Sequence, residues 1–161
     1  MKLFTKIAIT LLLFYTGSTF AEQVSYLMSD ESNRPLGRIA INYKSNGYEA
    51  TMNGERLAVE VTGNTAIATM GKLIITMPID GTYWHNRVGA WRTVPVTTSF
   101  GDKGVAKMFY GGMTANGRLY REELWLNGRL FNRSETVVDH NDQIVWSVAT
   151  DSEGTLRLTR M

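Results

Sequence analysis

The sequence predicts an all-β domain, an antiparallel up-and-down meander of about 11–12 strands that closes into a barrel. Three observations carry this. Asn46-Gly47, Asn53-Gly54, Gly63-Asn64, Asp80-Gly81 and Asn127-Gly128 are dipeptides that tolerate the positive φ of two-residue hairpin turns. Apolar residues between them alternate, and no window shows a helical period. A meander this long curls and closes or splits into layers, and closure removes exposed edges. A rolled open sheet or a sandwich is the alternative.

The chain begins with an export address. Lys2 and Lys6 precede an apolar run from Ile7 to Tyr15, and Thr19-Phe20-Ala21 has small residues where a signal peptidase reads. The run is shorter than the roughly 20 residues a membrane span needs. Residues 1–21 are therefore expected to be a secretory signal cleaved near Ala21, and 22–161 a single β domain in the periplasm or extracellular medium. With no cysteine, that domain must fold without disulfides, and thiol catalysis and thiolate metal sites are excluded. Two of the 17 basic residues lie in the signal, leaving 15 basic against 15 acidic. A neutral domain has no electrostatic reason to hold nucleic acid.

Each turn fixes a register that the side chains can test. Asn46-Gly47 sets Tyr43 against Ala50 and Ile41 against Met52. Asn53-Gly54 sets Ala50 against Leu57 and Tyr48 against Val59. Gly63-Asn64 then pairs Val61 with Ala66, Val59 with Ala68 and Leu57 with Met70. Gly71-Lys72 pairs Met70 with Leu73, Ala68 with Ile75 and Ala66 with Met77. All four keep one apolar face, which is consistency across levels. Between Thr82 and Val105 the register is weak. Pro95 interrupts, and Thr97 to Gly104 reads as a surface loop suited to an opening or lid.

Further along, Asn127-Gly128 is expected to pair Leu124 with Phe131, Glu122 with Arg133 and Tyr120 with Glu135. A turn at Asn141-Asp142 pairs Val137 with Trp146 and Glu135 with Val148. A three-residue loop, Ser152-Glu153-Gly154, pairs Val148 with Leu158 and Trp146 with Arg160. Arg121, Glu123, Asn132, Ser134, Thr136 and Ser147 would then face water. Asn116-Gly117-Arg118-Leu119-Tyr120 recurs as Asn127-Gly128-Arg129-Leu130-Phe131, which shared turn chemistry explains. The meander resembles small-ligand barrels such as lipocalins in architecture, with no motif to carry over.

Two residue sets are candidate binding sites. Glu122, Arg133, Glu135 and Arg160, with Tyr120 and Trp146, would form the polar end of a barrel interior. There Arg133 and Arg160 would receive the acidic head of an amphipathic ligand. The bland alternative is a set of charges that neutralise one another. The second set is Tyr83, His85, Arg87, Trp91 and Arg92, with Phe100 in the following loop, a surface suited to a protein or glycan. Here the bland alternative is tryptophans anchoring a core.

Catalysis has little support. The two histidines, His85 and His140, form no HxxxH, and no GxSxG occurs. Glu122 and Glu123 point to opposite faces of a strand, and Arg133 would keep both Glu122 and Glu135 ionised. Neither a metal nor a cofactor is expected. The sequence thus favours an exported, non-catalytic protein holding a small amphipathic or apolar ligand in its barrel. The alternatives are a protein-binding module, such as an inhibitor or immunity protein against an exported enzyme, and an envelope-glycan hydrolase.

Overall fold

A computed structural model describes residues 21–52, 54–78, 88–89 and 91–161. Residues 1–20 of the expected signal 1–21, the expected Asp80-Gly81 turn and the set from Tyr83 to Arg87 lie outside these residues. Twelve strands form one closed antiparallel barrel in which neighbours in sequence are neighbours in space and the last pairs with the first. They are β1 (Glu22–Ser29), β2 (Pro35–Lys44), β3 (Gly47–Met52), β4 (Glu55–Thr62), β5 (Thr65–Met70) and β6 (Leu73–Pro78). Then follow β7 (Trp91–Thr98), β8 (Lys103–Thr114), β9 (Gly117–Leu126), β10 (Arg129–Val138), β11 (Ile144–Asp151) and β12 (Gly154–Arg160).

The first half follows its turns. Ala50 faces Leu57, Val59 faces Ala68, and Ala66 faces Met77, as the dipeptides require. One turn differs. Ile41 pairs with Ala50 and Tyr43 with Tyr48, so Ser45-Asn46 makes the turn and Gly47 begins β3. The residues keep their face while the pairing moves by two. Gly47 serves close packing instead: a Cβ there would sit 1.9 Å from the Val59 carbonyl oxygen.

The second half is redirected by bulges. Asn127 and Gly128 adopt φ of 50° and 77°, as a hairpin turn of mirror-image type needs, and Leu126 faces Arg129. The register then shifts between Leu130 and Asn132, so Arg133 faces Glu123 and Ser134 faces Glu122. One extra residue turns every later side chain to the other wall. Asn132, Ser134 and Thr136 are therefore buried, not solvated as expected, and Arg133 and Glu135 lie on the outer wall. Beyond β10, Val137–Trp146 and Glu135–Val148 pair as expected. The last hairpin closes with Asp151 against Gly154, which pairs Val148 with Arg157 and Trp146 with Thr159. The expected pairings with Leu158 and Arg160 are thus off by one residue. Ser147, buried opposite Leu158, leaves the water-facing set as well.

Inside, Ile39, Ile41, Leu57, Val59, Ile75, Met77, Val94, Val96, Leu156 and Leu158 pack as one core. Each fully buried side chain of this kind stabilises by about 1.5–3 kcal/mol relative to exposure, which lets the domain dispense with disulfides. The outer wall carries Arg38, Glu49, Arg56, Glu60, Lys107 and Arg121. β3, β5 and β6 have six residues each, whereas a lipid-spanning strand takes about 9–11 and excludes charge from its lipid face.

The seam between β6 and β7 is the weakest. Among the described residues, only Ile75–Thr98 and Thr76–Thr97 pair there. Continuing that register would set Pro78 opposite Pro95, and neither proline has an N–H to donate. Thr97 and Thr98 end β7 and Lys103 and Gly104 begin β8, so the loop is shorter than Thr97–Gly104. Ser99 clips it down, its backbone N–H donating to the Ile74 carbonyl at 2.8 Å and its hydroxyl to the Lys72 carbonyl at 2.7 Å.

Candidate functional site

The polar residues expected to share one barrel end fall into three separate places. The first is a clasp near the β1–β12 closure. Arg160 donates from Nη1 to Asp139 at 2.7 Å and from Nε and Nη2 to the Ile144 carbonyl at 3.0 and 2.7 Å. Tyr26 donates to that same carbonyl at 2.8 Å and lies 2.8 Å from the Tyr43 hydroxyl. Each hydroxyl has one proton, so Tyr43 donates to Tyr26 while accepting from the Ile144 N–H at 3.2 Å. Burial works against the Asp139 carboxylate. The Arg160 hydrogen bond and the N–H groups of Gln143 and Asn141 outweigh it and hold the carboxyl below its usual range. Arg160 is thus committed to structure. His140 lies exposed in the adjoining turn.

The second place is a polar sector of the inner wall on β9, β10 and β11. Glu122 is 1% exposed and Oε1 accepts from the Ser134 hydroxyl at 3.2 Å, while Oε2 has no hydrogen-bond partner. Burial pushes this carboxyl well above the usual range, against the smaller opposing effect of Ser134. Arg133 faces Glu123 on the other wall, which corrects the expectation that it holds Glu122 ionised. Thr136 and Ser147 share a 2.7 Å hydrogen bond beside it. Tyr120 stacks on Tyr110 with ring centroids 5.2 Å apart, and burial raises its phenol to about 12.

The third place is a groove of about 470 Å³ on the outer wall. Register creates it. Trp91, Phe109, Arg121, Glu135, Val148 and Arg157 are successive partners across six strands. A neighbouring row runs Lys107, Glu123, Arg133 and Thr150. At about 4.8 Å per strand, five spacings give the first row a span of about 24 Å across the strands.

Most charges in the groove are paired. Arg121 Nε donates to Glu135 at 2.7 Å, and Arg133 Nη2 to Glu123 at 3.3 Å. Glu123 also accepts from the Trp125 indole at 2.9 Å. Trp91, 50% exposed, packs on Phe109 at 5.3 Å between ring centroids, and the Arg121 guanidinium lies 5.6 Å from the Phe109 ring.

The groove joins members of both sequence candidates, with Arg133 and Glu135 from one and Trp91 from the other. Arg160 and Tyr120 are elsewhere, Trp146 stands half-buried on the outer wall, and Arg92 shares the inward face of β7 with Val94. Phe100 is 66% exposed at the opposite end of β7 from Trp91. Sequence reasoning missed Phe109, Arg121, Glu123, Val148 and Arg157. The signal was the adjacent apolar pairs Leu130-Phe131 and Val137-Val138, which break the alternation where the register shifts.

These features define a class by geometry alone: a closed twelve-stranded barrel with a buried carboxyl inside and a charged, aromatic-ended groove outside. No protein-family model matches the chain, and no curated protein matches it.

Proposed function

We propose that this is an exported, non-catalytic binding protein whose small amphipathic ligand lies in the outer groove between Trp91 and Arg157. The observation that carries this reading is the convergence of Arg133, Glu135 and Trp91 in one concavity, since these residues are far apart in sequence. An aromatic face with paired arginines suits a ligand with both apolar and polar parts. Export rests on the layout of residues 1–21. A hydrolase would need an acid and a base on one bond, whereas Glu122 points into the barrel and Glu123 and Glu135 are held in ion pairs.

Native mass spectrometry of the chain from Glu22, purified from its own compartment, tests this. A co-purifying small mass that Arg133→Ala loses and Arg160→Ala retains is the expected result. A stoichiometric protein partner would instead favour the second reading, a protein-binding module. That reading draws on the exposure of Val88, Trp91 and Met113.

A further inference from the structure

We infer that the ligand of this groove is an anion whose carboxylate or phosphate is received by Arg157. The inference rests on the groove being the binding site and adds the chemistry of what it binds. Two of its three arginines are already answered, Arg121 by Glu135 and Arg133 by Glu123. Arg157 makes no ion pair among the described residues, and its Nε is buried with no hydrogen-bond partner. Counting the side chains on the outer wall, the groove therefore carries one surplus positive charge at its β12 end. A guanidinium satisfies such donors best with a carboxylate or phosphate, which accepts two parallel N–H groups.

Geometry supplies the rest of the ligand. Val148 stands directly opposite Arg157, and the exposed face of Trp91 closes the far end of the same row. An anionic head on Arg157 would leave an apolar body lying over Val148 and directed toward Trp91. The intervening Arg121–Glu135 pair is internally neutral and neither attracts nor repels that body strongly. A cationic ligand would meet the surplus charge and be excluded.

Isothermal titration of the chain from Glu22 with octanoate, octyl phosphate, octylamine and inorganic phosphate tests this. Octanoate and octyl phosphate are expected to bind about tenfold or more tighter than octylamine, since only an anion gains charge-assisted hydrogen bonds from the guanidinium. Arg157→Gln should abolish that preference without shifting the thermal midpoint, and Arg157→Lys should keep part of it. Equal binding of octanoate and octylamine, or an unchanged Arg157→Gln, would overturn the anion inference and leave the groove standing. Inorganic phosphate binding as tightly as octyl phosphate would support Arg157 as the anchor and overturn the amphipathic reading. Failure of all four probes would overturn both.

Discussion

Glu122 lies opposite Ser134 on the inner wall, with its Oε1 3.2 Å from the serine hydroxyl, while Arg133 points to the other side of the sheet. Burial raises the pKa of a carboxyl so placed, and this sets a pH dependence whose sign follows from linkage. Its folded pKa is raised, so the folded state holds a proton that the unfolded state has released. Its stabilising contribution is complete below the unfolded value near pH 4 and is lost as pH rises toward the folded pKa, by up to about 1.4 kcal/mol per pH unit. Glu122→Gln, a neutral isostere, should lack that loss. Urea unfolding from pH 4 to pH 8 should show the wild type falling relative to the variant. Parallel curves would mean that the carboxyl is ionised.

The Arg160–Asp139 clasp has the opposite sign. Asp139 is held below its usual range, so its contribution is present above about pH 4 and lost as pH falls through the lowered value. Arg160→Met removes the partner and leaves the Ile144 carbonyl with fewer donors. A loss of about 1–3 kcal/mol at pH 7 is expected. The variant should also show a shallower decline in acid, read from thermal midpoints between pH 2 and pH 6.

Glycines at close strand approaches should be less replaceable than those at open turns. A Cβ on Gly104 would lie 1.8 Å from the Trp125 carbonyl oxygen, and backbone cannot swing aside as a side-chain tip can. Gly104→Ala should cost about 1–3 kcal/mol or more. Gly71 has φ of 56° with nothing near a Cβ, so Gly71→Asn, a residue that tolerates this region, should cost less than about 1 kcal/mol. Urea midpoints of the two variants give the comparison. A milder effect at Gly104 would contradict the β8–β9 spacing.

The β6–β7 seam should open first. Amide exchange measured by mass spectrometry should find the peptide spanning Trp91–Val96 less protected than its β8 partner Val105–Phe109, because among the described residues the β6 side of β7 pairs only through Thr97 and Thr98. Replacing Pro95 with valine supplies an N–H and a β-branched side chain, and should raise protection if the proline pair keeps the seam apart. Equal protection in the two peptides would mean that the seam is closed by other contacts.

The contrast between the two halves of the chain shows what was legible beforehand. From β3 to β6 each turn is two residues long and no extra residue interrupts the strands, so Asn53-Gly54, Gly63-Asn64 and Gly71-Lys72 carry their registers unchanged into the barrel. Around β10 the same reasoning starts correctly at Asn127-Gly128 and then fails at Phe131, where one residue bulges out. The Glu122–Arg133 pair expected inside thereby becomes two contacts on opposite walls, Glu122 with Ser134 and Arg133 with Glu123. The first candidate site was thus assembled from correct residue types on the wrong face. Its outer half and Trp91 of the second candidate meet only because five strand pairings place them in adjacent rows.

What the sequence by itself determined is local: the strand count, the hairpin turns, the apolar face of the first half and a core large enough to need no disulfide. These follow from φ preferences and side-chain alternation, which act over a few residues. Only the tertiary structure decided that β1 meets β12, that β10 bulges, that Arg160 clasps Asp139 and that Arg157 is left without a counter-charge among the described residues. Those outcomes depend on strands many residues apart packing around one core. A single-residue bulge there costs little locally but exchanges the inside of the barrel for the outside.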